Sequence, residues 1–396
     1  MIQNDPKTFS YFCSSIRHLC YRLSFQSTFP SWVHMFRHHS HGNFLSSLCG
    51  RIHFQPTATS SDLPQRFNKF DEYLRLQLEN LNREGEVDGK LLRCSWLASF
   101  LAIALEDYVE DASAFCSLDL IYDETWILEY MDQSARMLDA CNVLMEALSR
   151  LQHGLLLVRH AWYALADVKI FPLGEQRDEC TRSDVNEEQV SVALKSLRKW
   201  MHVQGSSEGH LQKLSHIMQH MINPLDELHK RSIAKESELL YSLFLANVRV
   251  VLALYMLSLA LLQEKGLLSL NLSFPHAISW ASTVSGLVQM GKDEVNRQKV
   301  MNLCLQDLIP LYANVQELVC MIEQGLESNR VLLSEIISEW LAESGHNLSL
   351  QTDQIANSLE LLRAKLDELF NAIVLSRSLL LDKLGGSETD KSPPFG

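Results

Sequence analysis

The chain has 396 residues, of which 46% are hydrophobic, and its formal net charge is −13. This length and apolar content suffice for a sizeable core and exclude a wholly disordered chain. The acidic charge repels phosphate groups and no long basic patch offsets it, so we expect no nucleic-acid partner.

The first 61 residues differ in composition from the rest. They carry five basic side chains and a single acid, Asp5, and no uninterrupted apolar segment of secretory type. This composition is typical of an organellar transit peptide and, equally, of a disordered extension. The nine cysteines are dispersed and never in C-x-x-C spacing, which indicates reduced thiols. We therefore expect an intracellular protein, in the cytosol or in a plastid, with residues 1–61 outside its fold.

Helical periodicity dominates the remainder, residues 62–385, which we expect to form one helical domain. Glycine and proline are scarce, at 16 and 10 residues, and Leu-rich amphipathic segments recur, which predicts an all-α fold. The apolar spacing predicts helices over 66–82, 91–108 and 125–158. We expect them to pack as antiparallel neighbours in an elongated bundle of long helices.

The middle of the chain contains a candidate linker. Residues 171–189 include Pro172, Gly174 and many charged side chains, which predicts a flexible connection. A helix is expected over 187–201. Asn223 and Pro224 then form the N-cap and first position of a predicted long helix that continues toward residue 262.

The apolar run over 239–262 has two interpretations. It begins at Leu239, passes Val250 and ends at Leu262, and its length fits a bilayer span. Arg249 and Asn247 near its middle disfavour a span. A buried central helix of the bundle explains the same run. Membrane association and a core helix both stay open.

The last third of the body predicts two more helices. One covers 293–324 with a kink at Pro310, because proline removes a backbone donor. The other carries a heptad seam, which consists of Ile355, Leu359, Leu362, Leu366, Leu369, Ile373, Ser376 and Leu380. The seam fits a coiled coil, but we favour an antiparallel partner within the chain. Residues 386–396 are expected to be a disordered tail.

Two short motifs imitate catalytic or nucleotide-binding sites. Gly286, Gly291 and Lys292 match G-x-x-x-x-G-K, but Asp293 stands where a phosphate-binding loop has Ser or Thr, and no strand precedes. Ser207 lies in a G-x-S-x-G match that also lacks the preceding strand. Neither motif supports an active site.

Histidines supply the remaining candidate chemistry. His216 and His220 are four residues apart, as are two histidines of the cluster over 34–41. Such spacing places imidazoles on one helix face, but no cysteine or carboxylate completes a metal site. We expect no catalytic residue, cofactor or metal centre.

Two segments resemble the plant BYPASS-related family. They are W-I-L-E-Y-M-D-Q-S-A-R-M-L-D-A-C-N with L-S-R-L-Q-H-G-L-L-L, within 126–157, and L-E-L-L-R-A-K-L-D-E-L-F-N-A-I-V-L-S-R-S-L-L-L-D-K-L at 359–384. F-D-E-Y-L at 70–74 and the apolar helix around Val250 extend the resemblance to about 66–385. The matched signature positions, expected to serve packing, are Trp126, Tyr130, Asp132, Leu138, Asp139, Cys141, Leu151 and Gly154.

The resemblance implies an all-helical plant protein of root and shoot development that restrains a root-derived mobile signal. Some relatives are linked to exocyst subunits, and the family has no established catalytic residues. We therefore expect a non-enzymatic regulator that acts through protein contacts. An exocyst-associated adaptor in secretion is the first alternative. The second, an enzyme of signal-metabolite metabolism, requires a pocket with convergent polar groups.

Overall fold

The structure is a computed structural model that describes residues 63–87, 91–117, 124–166, 179–203, 208–234, 237–262, 265–272, 274, 278–298, 304–328 and 346–386. All regular secondary structure in these ranges is helical, which confirms the predicted all-α fold. The predicted extension over 1–61 and the predicted tail beyond Gly386 lie outside the described residues.

The described helices follow one another in this order: α1 (Leu63–Val87), α2 (Cys94–Ser117), α3 (Glu124–Ala166), α4 (Glu179–Val203), α5 (Glu208–Ile222), α6 (Leu225–Ala234), α7 (Glu238–Leu261), α8 (Lys265–Ser269), α9 (Ala281–Arg297), α10 (Leu308–Ser328) and α11 (His346–Gly386).

The chain divides into two compact units. The first comprises Ser61–Arg377, and the second comprises Met1–Ser60 together with Ser378–Gly396. Of the second unit the structure describes the last turns of α11, up to Gly386. The packing discussed below belongs to the first unit.

Helix α7 forms the centre of the first unit. It contacts α1, α2, α3, α5, α6, α8 and α9, and residues 243–260 are all buried. A helix that is apolar all round has no face for water, so it is stable in a soluble fold only when other helices enclose it. Arg249, 4% exposed, places its guanidinium carbon 6.0 Å from the ring centroid of Tyr73 on α1, a cation–π distance.

The predicted long helix from Pro224 to residue 262 is two helices. Helix α6 does begin just after Pro224, whose carbonyl accepts from the backbone N–H of Leu228 at 2.9 Å. It ends at Ala234, and Ser237 then starts α7: its side-chain oxygen accepts from the backbone N–H of Leu240 at 3.4 Å. A serine N-cap satisfies one of the free donors of a new helix. The prediction placed the start one residue too early, because Pro224 and not Asn223 directly precedes the first helical residue, Leu225. It was wrong about the continuity.

The predicted kink at Pro310 was wrong as well. Helix α9 ends at Arg297 and α10 begins at Leu308, so Pro310 lies in the first turn of α10. The N–H groups of a first turn have no intrahelical acceptor, so a proline there removes no hydrogen bond and does not bend the helix.

Helix α4 begins inside the segment that was predicted to be a linker. It begins at Glu179, whereas the sequence predicted a linker over 171–189 and a helix from 187. The charged residues 179–189 are therefore helical, since charge alone does not prevent a helix that has strong helix formers. Residues 171–178 lie outside the described residues.

Candidate partner-binding surface

Helices α3 and α11 run antiparallel, and side-chain bonds fix their register. From the start of α3 to its end, Arg377 donates to Ser134 at 2.6 Å, Gln152 donates to Glu360 at 2.8 Å, and Arg159 pairs with Asp353. The seam of α11 from Ile355 to Ser376 is buried. The chain thus supplies a partner for the heptad seam, as the intramolecular interpretation predicts.

A buried cluster of hydroxyl groups joins α2, α3 and α11. The hydroxyl of Tyr130 lies 2.5 Å from Ser376 Oγ and 3.0 Å from the hydroxyl of Tyr108. Burial raises the pKa of Tyr108, so its hydroxyl stays neutral near pH 7. Ser376 Oγ also donates to the carbonyl of Ile373 at 3.1 Å within α11. The register therefore matters most for the buried hydroxyl of Tyr130, which a shift of one turn would move away from Ser376.

A shallow groove opens where the end of α3 meets the start of α11. Its lining residues are Val158, Arg159, Trp162, Tyr163, Leu348, Ser349, Thr352 and Asp353. It encloses about 170 Å³, which is below the roughly 300–1,000 Å³ of small-molecule sites. The groove therefore does not provide the pocket that the enzyme alternative requires.

Exposed apolar side chains concentrate on the same two helices. In the described part of the first unit, α3 carries Leu128, Leu156 and Tyr163, and α11 carries Leu350, Leu361, Val374 and Leu375, whereas Tyr73, Leu76, Val192 and Ile233 lie on three other helices. Isolated exposed leucines are ordinary. Tyr163 differs because it is 65% exposed and lies beside Trp162 and Arg159 in the groove. Tyrosine, tryptophan and arginine are the residues that most often carry binding energy at protein interfaces.

The family-signature residues lie on α3 in three environments. Trp126, Tyr130, Cys141 and Gly154 are buried, Leu138 and Leu151 are half-buried, and Asp132 and Asp139 are exposed. Burial raises the pKa of the Cys141 thiol, so it remains protonated and unreactive. Asp132 pairs with Arg136 at 2.6 Å on the surface.

Sequence reasoning missed a polar contact among aromatic rings. Asp71 on α1 accepts a hydrogen bond from the hydroxyl of Tyr241 at 2.5 Å and another from Trp280 Nε1 at 2.8 Å. Phe67 and Phe244 pack against Tyr241, at centroid distances of 4.6 and 5.9 Å. In the sequence Asp71 stood out only as part of F-D-E-Y-L at 70–74, and only the position of α7 reveals its partners.

The G-x-x-x-x-G-K match does not form a phosphate site. Gly286, Gly291 and Lys292 all lie inside α9, where the backbone amides bond within the helix and cannot cradle a phosphate. Lys292 Nζ donates to the carbonyl of Leu270 at 2.6 Å. Ser207 lies outside the described residues.

Helix α7 is the one helix, within the described ranges, that is long and apolar enough to cross a bilayer. That statement rests on length and composition only. A buried core helix satisfies the same criteria. The apolar window of α7 is entirely buried by the rest of the chain. Leu239, Val250 and Leu262, which delimit the predicted run, are 7%, 0% and 4% exposed.

The chain is similar to two rice proteins named UPF0496 protein 4. The one from Oryza sativa subsp. japonica is 25% identical over 243 residues, which make up 60% of this chain and 50% of the rice protein. The one from subsp. indica gives the same values. The chain thus spans about half the length of the curated relatives that it matches. No protein-family model and no solved structure matches the chain.

These similarities support an all-helical plant protein that is distantly related to UPF0496 protein 4. The name of the relatives states no activity. Membership of the BYPASS-related family remains a prediction from the two resembling segments.

Proposed function

We propose that this chain is a non-enzymatic regulatory protein of plants that binds a protein partner through the groove between α3 and α11. The groove carries this proposal because it joins an exposed tyrosine, a tryptophan and an arginine on rigid helices. Helical supports hold such anchor residues in place, so less conformational entropy is lost on binding.

The composition of the groove favours a protein partner over a small molecule. Val158 and Leu348 supply apolar walls, and the Arg159–Asp353 ion pair supplies a polar edge. An apolar centre with a polar edge is the usual anatomy of a protein interface. The small volume excludes most of a metabolite-sized ligand from this groove.

The resemblance to the BYPASS-related family suggests the process that the partner serves. We place the chain in root and shoot development, where it would restrain a mobile signal through protein contacts. An exocyst-associated adaptor is the more specific form of the same proposal, because it needs only a protein-binding surface and no active site.

Affinity capture tests this proposal. The full chain, the Tyr163→Ala variant and a Leu128→Ala control are used as baits in plant extract after gentle crosslinking. Leu128 is 43% exposed on the same helix but lies near its other end, so the control removes similar apolar surface away from the groove.

We expect Tyr163→Ala to lose a set of proteins that the full chain and the control retain. Exocyst subunits within that set would identify the adaptor form. Identical protein sets for all three baits would contradict a partner site in the groove. Equal thermal unfolding of the three baits ensures that a lost partner reflects the surface and not the fold.

A further inference from the structure

Two histidines on α5 bring their ring nitrogens together. The Nε2 atoms of His216 and His220 are 3.0 Å apart, and the ring centroids are 4.2 Å apart. His216 is exposed and His220 is half-buried, so solvent reaches the pair. At this distance the two ring nitrogens share either one hydrogen-bonding proton or one metal ion, because two facing lone pairs repel each other.

The ring nitrogens lie close enough to occupy two adjacent positions around one ion. Imidazole nitrogens bind transition metals at about 2.0–2.1 Å, and at that bond length a 3.0 Å separation corresponds to an angle at the metal of about 90–97°. Adjacent positions of a square-planar or octahedral ion have this angle.

Helix α3 holds this turn of α5 in place. Arg136 Nη1 donates to the backbone carbonyl of His220 at 2.6 Å, and Gln133 Nε2 donates to that of Met221 at 2.9 Å. The backbone that carries the second imidazole is therefore fixed before any ion arrives. A fixed pair of ligands binds more tightly than two mobile ones, because less freedom is lost.

We infer that His216 and His220 bind a divalent transition-metal ion together, with Cu²⁺ or Ni²⁺ as the best candidates, although their spacing in the sequence alone had led us to expect no metal centre. These ions favour nitrogen ligands and square-planar or tetragonal coordination. Among the described residues, no group of three or more His, Cys, Asp or Glu side chains is arranged to hold a metal ion. The site is therefore open, with two protein ligands and the remaining positions occupied by water or by a side chain of a partner.

Copper and nickel titrations of the full chain test this site. The histidines over 34–41 and His210, which is three residues from position 213, are replaced by alanine in every sample, so that they do not bind the added ion. Against this background we compare His216→Ala, His220→Ala and the double variant Lys213→His with His216→Ala. The last variant keeps the number of histidines but places them seven residues apart, about 10.5 Å along a helix, too far to share an ion.

We expect each variant to weaken the binding of one equivalent of Cu²⁺ and Ni²⁺ by about 10-fold or more, because the second ligand no longer acts at high effective concentration. In the electron paramagnetic resonance spectrum of bound Cu²⁺, two nitrogen nuclei should couple to the copper electron spin in the parent. One nitrogen should couple in each variant. Equal affinity in the parent and the spacing variant, or a single coupled nitrogen in the parent, would overturn the inference.

Discussion

Asp71 shows how one residue can join three parts of the fold. Its carboxylate lies on α1 and accepts from Tyr241 of α7 and from Trp280 just before α9. Both donors are nearly inaccessible to water, at 2% and 0% exposure. Removing the acceptor would leave a buried hydroxyl and a buried indole N–H without this partner.

Asp71→Ala is expected to lower the free energy of unfolding by about 2 kcal/mol, since hydrogen bonds to a charged acceptor contribute more than neutral ones. Urea denaturation measures the change. Asp132→Ala is the matched control, because the Asp132–Arg136 pair is solvent-exposed and such pairs contribute about 0–1 kcal/mol. Equal losses for the two variants would contradict a special role for Asp71.

The roles of individual residues were harder to predict from the sequence than the helices or the fold. The sequence identified Tyr130 and Cys141 as signature positions, and both are buried, but it did not separate them from the exposed Asp132 and Asp139. The spacing of apolar residues in a helix predicts which side chains share a face. It does not predict which side chains of a neighbouring helix they contact. The partners of Asp71 were hidden for this reason.

At the scale of elements, the close approach of α9 to α7 depends on one glycine. A Cβ atom on Gly291 would lie 2.7 Å from Met256 Cε and 3.2 Å from Leu259 Cδ1. Met256 is fully buried, so its methyl group has little space into which to move. Gly286, on the same helix, has no atom within 4 Å of the corresponding position.

Substitution of the two glycines by alanine is expected to have opposite effects on the stability of the protein. Gly286→Ala should stabilise the protein by about 0.5–1 kcal/mol, because alanine loses less backbone entropy in a helix. Gly291→Ala should destabilise it by about 1–3 kcal/mol through overpacking. Chemical denaturation of both variants gives the comparison, and a stabilising Gly291→Ala would show that α7 and α9 lie further apart than described.

The hydroxyl cluster predicts energetic coupling between α3 and α11. A double-mutant cycle of Tyr130→Phe and Ser376→Ala should give an interaction energy of about 0.5–1.5 kcal/mol, the size of one buried hydrogen bond. Tyr130→Phe combined with Ser285→Ala on α9 serves as the uncoupled control. Additive effects at both pairs would contradict the bond between Tyr130 and Ser376.

Helix periodicity predicted most elements but not their ends. The stripe over 125–158 and the seam from Ile355 each predicted a long helix, since a run of 3-and-4 spacings has few alternative explanations. The break before Ser237 and the start of α10 near Pro310 were missed. Capping by a single side chain and the position of a proline within a helix are local features that periodicity averages out.

At the scale of the whole molecule, the surroundings of α7 favour a core helix over a membrane span. Seven of the other described helices contact it, and its 18-residue apolar window is entirely buried where a lipid-facing helix would be open. We propose that α7 is the core of a fold that does not insert into a bilayer. Arg249 at its centre, lying over Tyr73, agrees with a protein environment, because a charge facing lipid is costly.

Carbonate extraction of plant membranes tests this proposal. The full chain should be released entirely into the soluble fraction, since a core helix has no contact with lipid. A known integral protein in the same membranes provides the control. Retention of the chain in the pellet would contradict the core assignment and restore the spanning interpretation of residues 239–262.

The partner site is the claim on which the functional account depends, and site-specific photocrosslinking in plant cells tests it most directly. A photoreactive phenylalanine analogue replaces Tyr163 in one sample and Leu128 in another, with the rest of the chain unchanged. The account predicts a discrete crosslinked protein partner from position 163 and none from position 128. Crosslinks of the same partners from both positions, or none from position 163, would contradict a binding surface at the groove of α3 and α11.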